Sequence, residues 1–103
     1  MDEIQITDLS SQVLDAMRMR NLKAKSIKEF ERYGLRRISS HFSEHGWIIY
    51  SKDAVWTFVL QERLRMESGQ LPAYQWAHTR RAAVYLEQMA EHGTIQEAPL
   101  YPQ

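Results

Sequence analysis

The 103-residue chain predicts an all-α bundle of four helices, on three observations. Apolar residues recur at helical spacings over four separate stretches. Gly46, the Ser68–Pro72 break and Gly93 fall at the boundaries of those stretches. Strand signals are nearly missing, because β-branched and aromatic residues do not alternate with polar ones over any useful length.

The first helix is predicted to begin near Asp8, whose carboxylate caps the free N–H groups of Ser10 and Ser11. It runs to about Arg20, with Leu9, Val13, Met17 and partly Leu14 on one side. The second opens with Ser26-Ile27-Lys28-Glu29, a capping-box pattern, and ends at Gly46. Its apolar residues Ile27, Phe30, Leu35, Ile38 and Phe42 recur at spacings of three to five over about five turns. Gly34 in its interior costs about 1 kcal/mol of helix propensity against alanine and is read as a point of close helix packing.

Trp47-Ile48-Ile49-Tyr50 is a short apolar connector expected to plug the end of the core. Ser51 then caps a third helix, with Asp53 in its first turn. That helix carries Val55, Phe58, Val59 and Met66 on one side and Trp56, Leu60 and Leu64 on the other, so it is expected to be the central one. The fourth follows Pro72, buries Trp76, Ala83, Leu86, Met89 and Ala90, and stops at Gly93. Residues 1–95 thus read as one domain, and 96–103, with Pro99 and Pro102, as an extended tail.

Composition narrows the function. With 44% hydrophobic and 25% charged residues, the chain matches a globular domain and argues against disorder or a coiled coil. Zero cysteines exclude a disulfide framework, a thiol nucleophile and a zinc-finger ligand set, and fit a reducing compartment. Met1 to Gln5 are acidic with no apolar segment after them, so no signal peptide is expected. The longest apolar run is Ala82 to Leu86, against the about 20 residues of a membrane span. The expected setting is soluble and cytoplasmic, with no membrane partner.

The formal net charge is zero, but its distribution is uneven. Between Arg18 and Arg37 lie eight basic residues and only Glu29 and Glu31 as acids, a local excess of six positive charges balanced by an acidic remainder. At about 100° per residue, Lys25, Lys28, Arg32 and Arg36 fall within a sector of about 80° opposite the apolar face. They rise about 5 to 6 Å per step, a spacing that can track successive phosphates along one strand of a duplex. The plainer alternative is an outward helix face that is charged and merely solvated. His78-Thr79-Arg80-Arg81 makes a second basic spot near the start of the fourth helix, with Arg81 expected to point away from the core and Arg80 on its flank. His78 and Gln75 can hydrogen-bond to bases or phosphates there.

No catalytic constellation is found. His41 and His45 stand at i, i+4 but have no good third ligand, so no metal and no cofactor are expected. There is no glycine-rich phosphate loop, and no serine is set beside a base. Trp56 and Trp76 read as core residues.

From about Leu9 to Ile95 the chain resembles the N-terminal, SAM-like core-binding domain of tyrosine recombinases, the phage integrase family. The resemblance rests on the order and spacing of several pieces. These are the leading helix from Val13 to Leu22, the Lys25-Ser26-Ile27-Lys28-Glu29-Phe30-Glu31-Arg32-Tyr33 stretch, Phe42 to Gly46, and the Tyr50-Ser51 start of the third helix. Arg80-Arg81-Ala82-Ala83-Val84-Tyr85-Leu86 leading to Glu91-His92-Gly93-Thr94-Ile95 completes the set. It implies a SAM-like, four-helix orthogonal bundle that clamps one face of double-stranded core-site DNA for recombination or integration, while a separate C-terminal catalytic domain of the same parent protein does the chemistry. The second and fourth helices would approach the major groove. Carried over by position, Ser26, Lys28, Arg32 and Arg36 are candidate DNA contacts on one helix, and His78, Arg80 and Arg81 on the other. Recombinase protomers meeting on DNA are implied partners.

The catalytic arginines and tyrosine nucleophile of that family have no trace here. His78-Thr79-Arg80-Arg81 only superficially spells the family's H-x-x-R element, and Tyr101 lies in a proline-bounded tail. The chain is therefore read as non-catalytic. The alternative is a small helical protein-interaction module with a solvated basic face, anchored through Trp47, Ile48 or Tyr50. A helix-turn-helix regulator fits less well, because the link from the second helix to the third is too long and apolar.

Overall fold

The computed structural model describes residues 3–96. Its helices are α1 (Ile6–Arg18), α2 (Ala24–Phe30), a π-helical segment (Glu31–Leu35), α3 (Arg36–Glu44), α4 (Lys52–Glu67) and α5 (Ala73–His92). Phe30, Glu31, Leu35 and Arg36 all keep right-handed helical dihedrals, so α2, the π segment and α3 form one continuous rod. Four rods therefore make an all-α bundle, as the sequence predicts. Among the described residues no helix is long and apolar enough to cross a membrane. Apart from Gln96, the tail expected at 96–103 lies outside the described residues.

The π segment has a cause in the sequence. In an unbroken α-helix, Leu35, Ile38 and Phe42 would point about 80° away from Ile27 and Phe30. One i→i+5 turn takes up an extra residue, about 100° of rotation, and returns all five to one face. All five are buried. Gly34 sits in this turn, where an added Cβ would stand 2.7 Å from the His78 carbonyl oxygen and 3.0 Å from the Ala82 Cβ. Close packing of the rod on α5, expected from the sequence, is therefore literal.

Thr79 locks the same contact. Fully buried, its hydroxyl lies 2.8 Å from the Tyr33 carbonyl oxygen in the π turn and 3.1 Å from that of Gln75. Arg37 Nη1 donates back to it at 3.4 Å. Thr79→Val keeps the shape and removes the donor, so unfolding in urea should show a loss of about 1–3 kcal/mol. A variant as stable as the parent would mean that water satisfies these carbonyls.

Several expectations need correction. The first helix starts at Ile6, with Gln5 at the N-cap and no side-chain cap, while Asp8 lies in the first turn. One of the free N–H groups of the first turn, that of Ile6, donates instead to the Ile48 carbonyl at 2.9 Å. The second helix begins at Ala24 rather than at Ser26, and the Ile27 N–H donates to the Lys23 carbonyl at 3.1 Å. Ser26 is thus inside the first turn and caps nothing. Ser51 does cap as predicted, accepting from the Ala54 N–H at 3.2 Å.

The connector plugs the core only in part, through Tyr50 and through Trp47, which stands edge-on to the buried Phe42 ring at 5.6 Å. Tyr50 N–H donates to the Ile4 carbonyl at 2.8 Å, and Gln5 and Ile49 form an antiparallel bridge. This backbone pairing leaves Ile48 62% and Trp47 43% exposed, while Tyr50 packs half-buried against the core.

Nor is the third predicted helix central. On α4, Val55, Phe58 and Val59 are buried, but Leu60 and Leu64 are 59% and 66% exposed. The central place belongs to α5, which packs on α1, α2, the π segment and α4. Small, fully buried side chains at Ala82, which faces the gap left by Gly34, and at Ala83 let it fit between its neighbours. Trp56 and Trp76 are half-buried, and each indole N–H is satisfied, by Glu87 Oε1 at 2.8 Å and by the Val59 carbonyl at 3.2 Å.

Candidate nucleic-acid interface

Burial of Ile27, Phe30, Leu35, Ile38 and Phe42 dictates what faces out from the composite rod. Lys25, Ser26, Lys28, Arg32 and Arg36 are all exposed. The π turn rotates Arg36 together with the core residues after it, and the four cations still share a sector of about 80°. A groove of about 530 Å³ runs along them, lined also by Glu29, Glu31 and Tyr33. The Arg32 guanidinium lies over the Tyr33 ring, 5.3 Å from its centroid. Among the described residues no carboxylate pairs with Lys25, Lys28, Arg32 or Arg36, although two glutamates are close by. The groove thus carries four cations against two glutamates, an excess of two positive charges with no direct ion pair on the four.

The second basic spot is rearranged. Arg80, expected on the flank, is exposed. Arg81 is not turned away from the core: its guanidinium lies 5.3 Å from the centroid of the buried Phe30 ring and 5.6 Å from that of Tyr85. Its aliphatic stem and planar head cover the gap between the rod and α5, where cation–π attraction holds it. His78 is half-buried, stacks on Tyr33 with centroids 6.1 Å apart, and has a buried Nδ1 without a hydrogen-bond partner. Of the α5 candidates, Arg80 alone projects a free cation.

His41 and His45 pack with aromatic rings. His41 stacks on Phe58 and His45 on Trp47, each with centroids 4.4 Å apart, and His45 Nδ1 lies 2.9 Å from the His41 carbonyl oxygen. Among the described residues no three His, Asp or Glu side chains gather as a metal ion requires.

Burial lowers the pKa of His78, and Arg81 adds to the effect against Glu29. Burial likewise lowers His41, with His45 beside it and Glu44 opposing. Both are therefore neutral near pH 7. In acid the unfolded chain takes up these protons first, below the ordinary value of 6.5, so the stability they contribute is complete above that pH. It is lost as pH falls through the lowered folded values. The thermal midpoint should drop between pH 7 and pH 5, and a His41→Asn/His78→Asn variant should show a shallower drop; equal slopes would contradict this.

An ion-pair network that the sequence reading missed lies next to the stripe. Glu62 on α4 is 3% exposed, pairs with Arg37 at the start of α3, and accepts from Arg65 Nη1 at 2.9 Å. Burial lowers the Arg37 pKa, and Arg65 adds to it. Only the i, i+3 spacing of Glu62 and Arg65 signals this in the sequence, and it reads there as an ordinary surface pair. No family model, curated protein or solved structure matches the chain.

Proposed function

We propose that this chain is a duplex-DNA-binding module that helps a site-specific recombinase hold its target, without catalysis of its own. The observation that carries the DNA part is the row of four exposed cations without carboxylate partners. Such a row binds phosphates by releasing condensed counterions, a gain that a stripe already neutralised by glutamates would forfeit. Arg80 on α5 supplies a second contact point, and most contacts would go to the backbone rather than to bases. The recombinase part rests on the resemblance of the segments from Val13 to Ile95 to a core-binding domain. That resemblance also names the partner, a catalytic domain of the same parent protein.

The test is fluorescence anisotropy of a labelled duplex of about 30 base pairs across a salt series. The four stripe cations, each neutralising one phosphate, give a log–log salt slope of about −3.6 at about 0.9 per contact, and Arg80 steepens it further. Lys28→Glu/Arg32→Glu/Arg36→Glu should abolish binding while the fold persists, since all three side chains are exposed. A folded wild type that binds no duplex at low salt would overturn the reading.

Exposed Leu60, Leu64, Trp47 and Ile48 favour a second reading, a helical protein-interaction module. In that case Leu60→Glu/Leu64→Glu would remove partner binding and the charge reversal would not.

A further inference from the structure

The cationic surface continues beyond the rod. Between the rod and α4 lies an open pocket of about 340 Å³, lined by Arg32, Arg36, Arg37, Ser40, Glu62 and Arg65 among others. Its four arginines outnumber its two glutamates, Glu44 and Glu62, by two charges. The arrangement differs from a solvated patch in how the guanidiniums are held. Glu62, buried beneath, pairs with Arg37 through one oxygen and with Arg65 through the other. Arg65 thereby spends one of its five N–H donors, and its others have no acceptor among the described residues. Arg36 spends none. Two guanidiniums from different rods line one cavity, and one of them, Arg65, is oriented by a buried carboxylate; the Phe58 ring, with Arg37 over it at 5.9 Å, forms an apolar part of the wall. Planar donors of fixed orientation suit a tetrahedral oxyanion better than flexible ammonium groups do.

We propose that this pocket seats a phosphate group, with Arg36 and Arg65 as its charged donors, the Ser40 hydroxyl as a third, and Glu62 as the residue that positions Arg65. The inference rests on the DNA reading above, and the phosphate is a backbone phosphodiester of the bound duplex. It adds to the stripe a contact from α4, which would set the angle of the domain on the duplex as well as its affinity.

Two measurements test it. In the first, the labelled protein is titrated with inorganic phosphate and followed by NMR. Saturable shifts should cluster at Ser40, His41 and Arg65, and should vanish in Ser40→Asp, which puts a negative charge into the pocket at an exposed position. In the second, duplex anisotropy is repeated with Ser40→Asp and with Arg65→Gln, the thermal midpoints being recorded alongside. Each variant should bind roughly tenfold more weakly or worse and lose about 0.9 of the salt slope, the signature of one lost phosphate contact. Absence of saturable shifts overturns the seat. Saturable shifts with unchanged duplex binding in both variants overturn the assignment to a DNA phosphate. A wild type that binds no duplex overturns the DNA reading and this source with it, while the phosphate titration still decides the seat.

Discussion

Gly34→Ala lowers the stability of this domain by about 2 kcal/mol, although alanine is the better helix former by about 1 kcal/mol. The new Cβ would meet the His78 carbonyl oxygen at 2.7 Å and the Ala82 Cβ at 3.0 Å. The first of these is backbone in the middle of α5, so no rotamer change relieves the clash. Either the rod and α5 move apart, uncovering Phe30 and Leu86, or the π turn shifts register and breaks the Thr79 to Tyr33 hydrogen bond. Overpacking of this kind costs about 1–3 kcal/mol and occasionally more, and the propensity gain offsets only part of the upper end. At roughly 4–8 °C per kcal/mol for a domain near this size, the thermal midpoint should fall by about 8–16 °C. In urea the midpoint should fall with the slope unchanged. A rise in either midpoint would mean that helix propensity outweighs packing and that the rod does not lie against α5 this closely.

The architecture was legible because its signals are local. Apolar periodicity marks all four rods, and Ser51 and Gly93 end or begin helices where their chemistry says they should. Gly34 was legible as a close approach because the apolar periodicity runs on through it, which argues for packing over a break. The misplaced starts share one cause. Asp8 and Ser26 have the right chemistry for caps, but backbone carbonyls, from Ile48 across the bundle and from Lys23 in the preceding turn, reach N–H groups there. A cap inferred from residue type competes with partners that only the fold supplies. The π turn had a trace in the five-residue step from Phe30 to Leu35, which no unbroken α-helix places on one face.

The candidate surface was legible in part for a related reason. Lys25, Lys28, Arg32 and Arg36 are exposed because they oppose a core face that periodicity identifies. The position of Arg81 is not legible, because a single helix wheel carries no information about the neighbouring helix. Seen alone, α5 offers its arginine to solvent; packed on the rod, it finds Phe30 underneath. The misplaced centre of the bundle has the same origin. Leu60 and Leu64 make α4 look core-like on two sides, yet burial depends on what stands opposite, and small residues on α5 are what allow tight enclosure.

Glu62→Gln, which keeps the size and removes the charge, lowers stability by about 2–3 kcal/mol. Breaking a buried pair costs about 3–5 kcal/mol when the remaining charge stays desolvated. Here the cost lies below that range, because the Arg65 side chain is 48% exposed and the Arg37 side chain 22% exposed, so water reaches both guanidiniums and screens them. The residual penalty falls on Arg37, which burial and the neighbouring Arg65 already disfavour as a cation. Without the Glu62 charge, the Arg37 and Arg65 cations repel each other with no carboxylate to offset them. Arg37→Met/Glu62→Leu removes the pair together, and a buried pair exchanged for apolar side chains is often neutral in stability. The double variant should therefore be more stable than Glu62→Leu alone, with a coupling of about 1–3 kcal/mol measured by urea unfolding of all four members of the cycle. Coupling below about 0.5 kcal/mol would reduce the network to an ordinary surface ion pair. Its consequence reaches the phosphate seat as well: a domain whose Glu62→Gln form stays folded but still binds inorganic phosphate with unchanged affinity does not need that carboxylate to position Arg65.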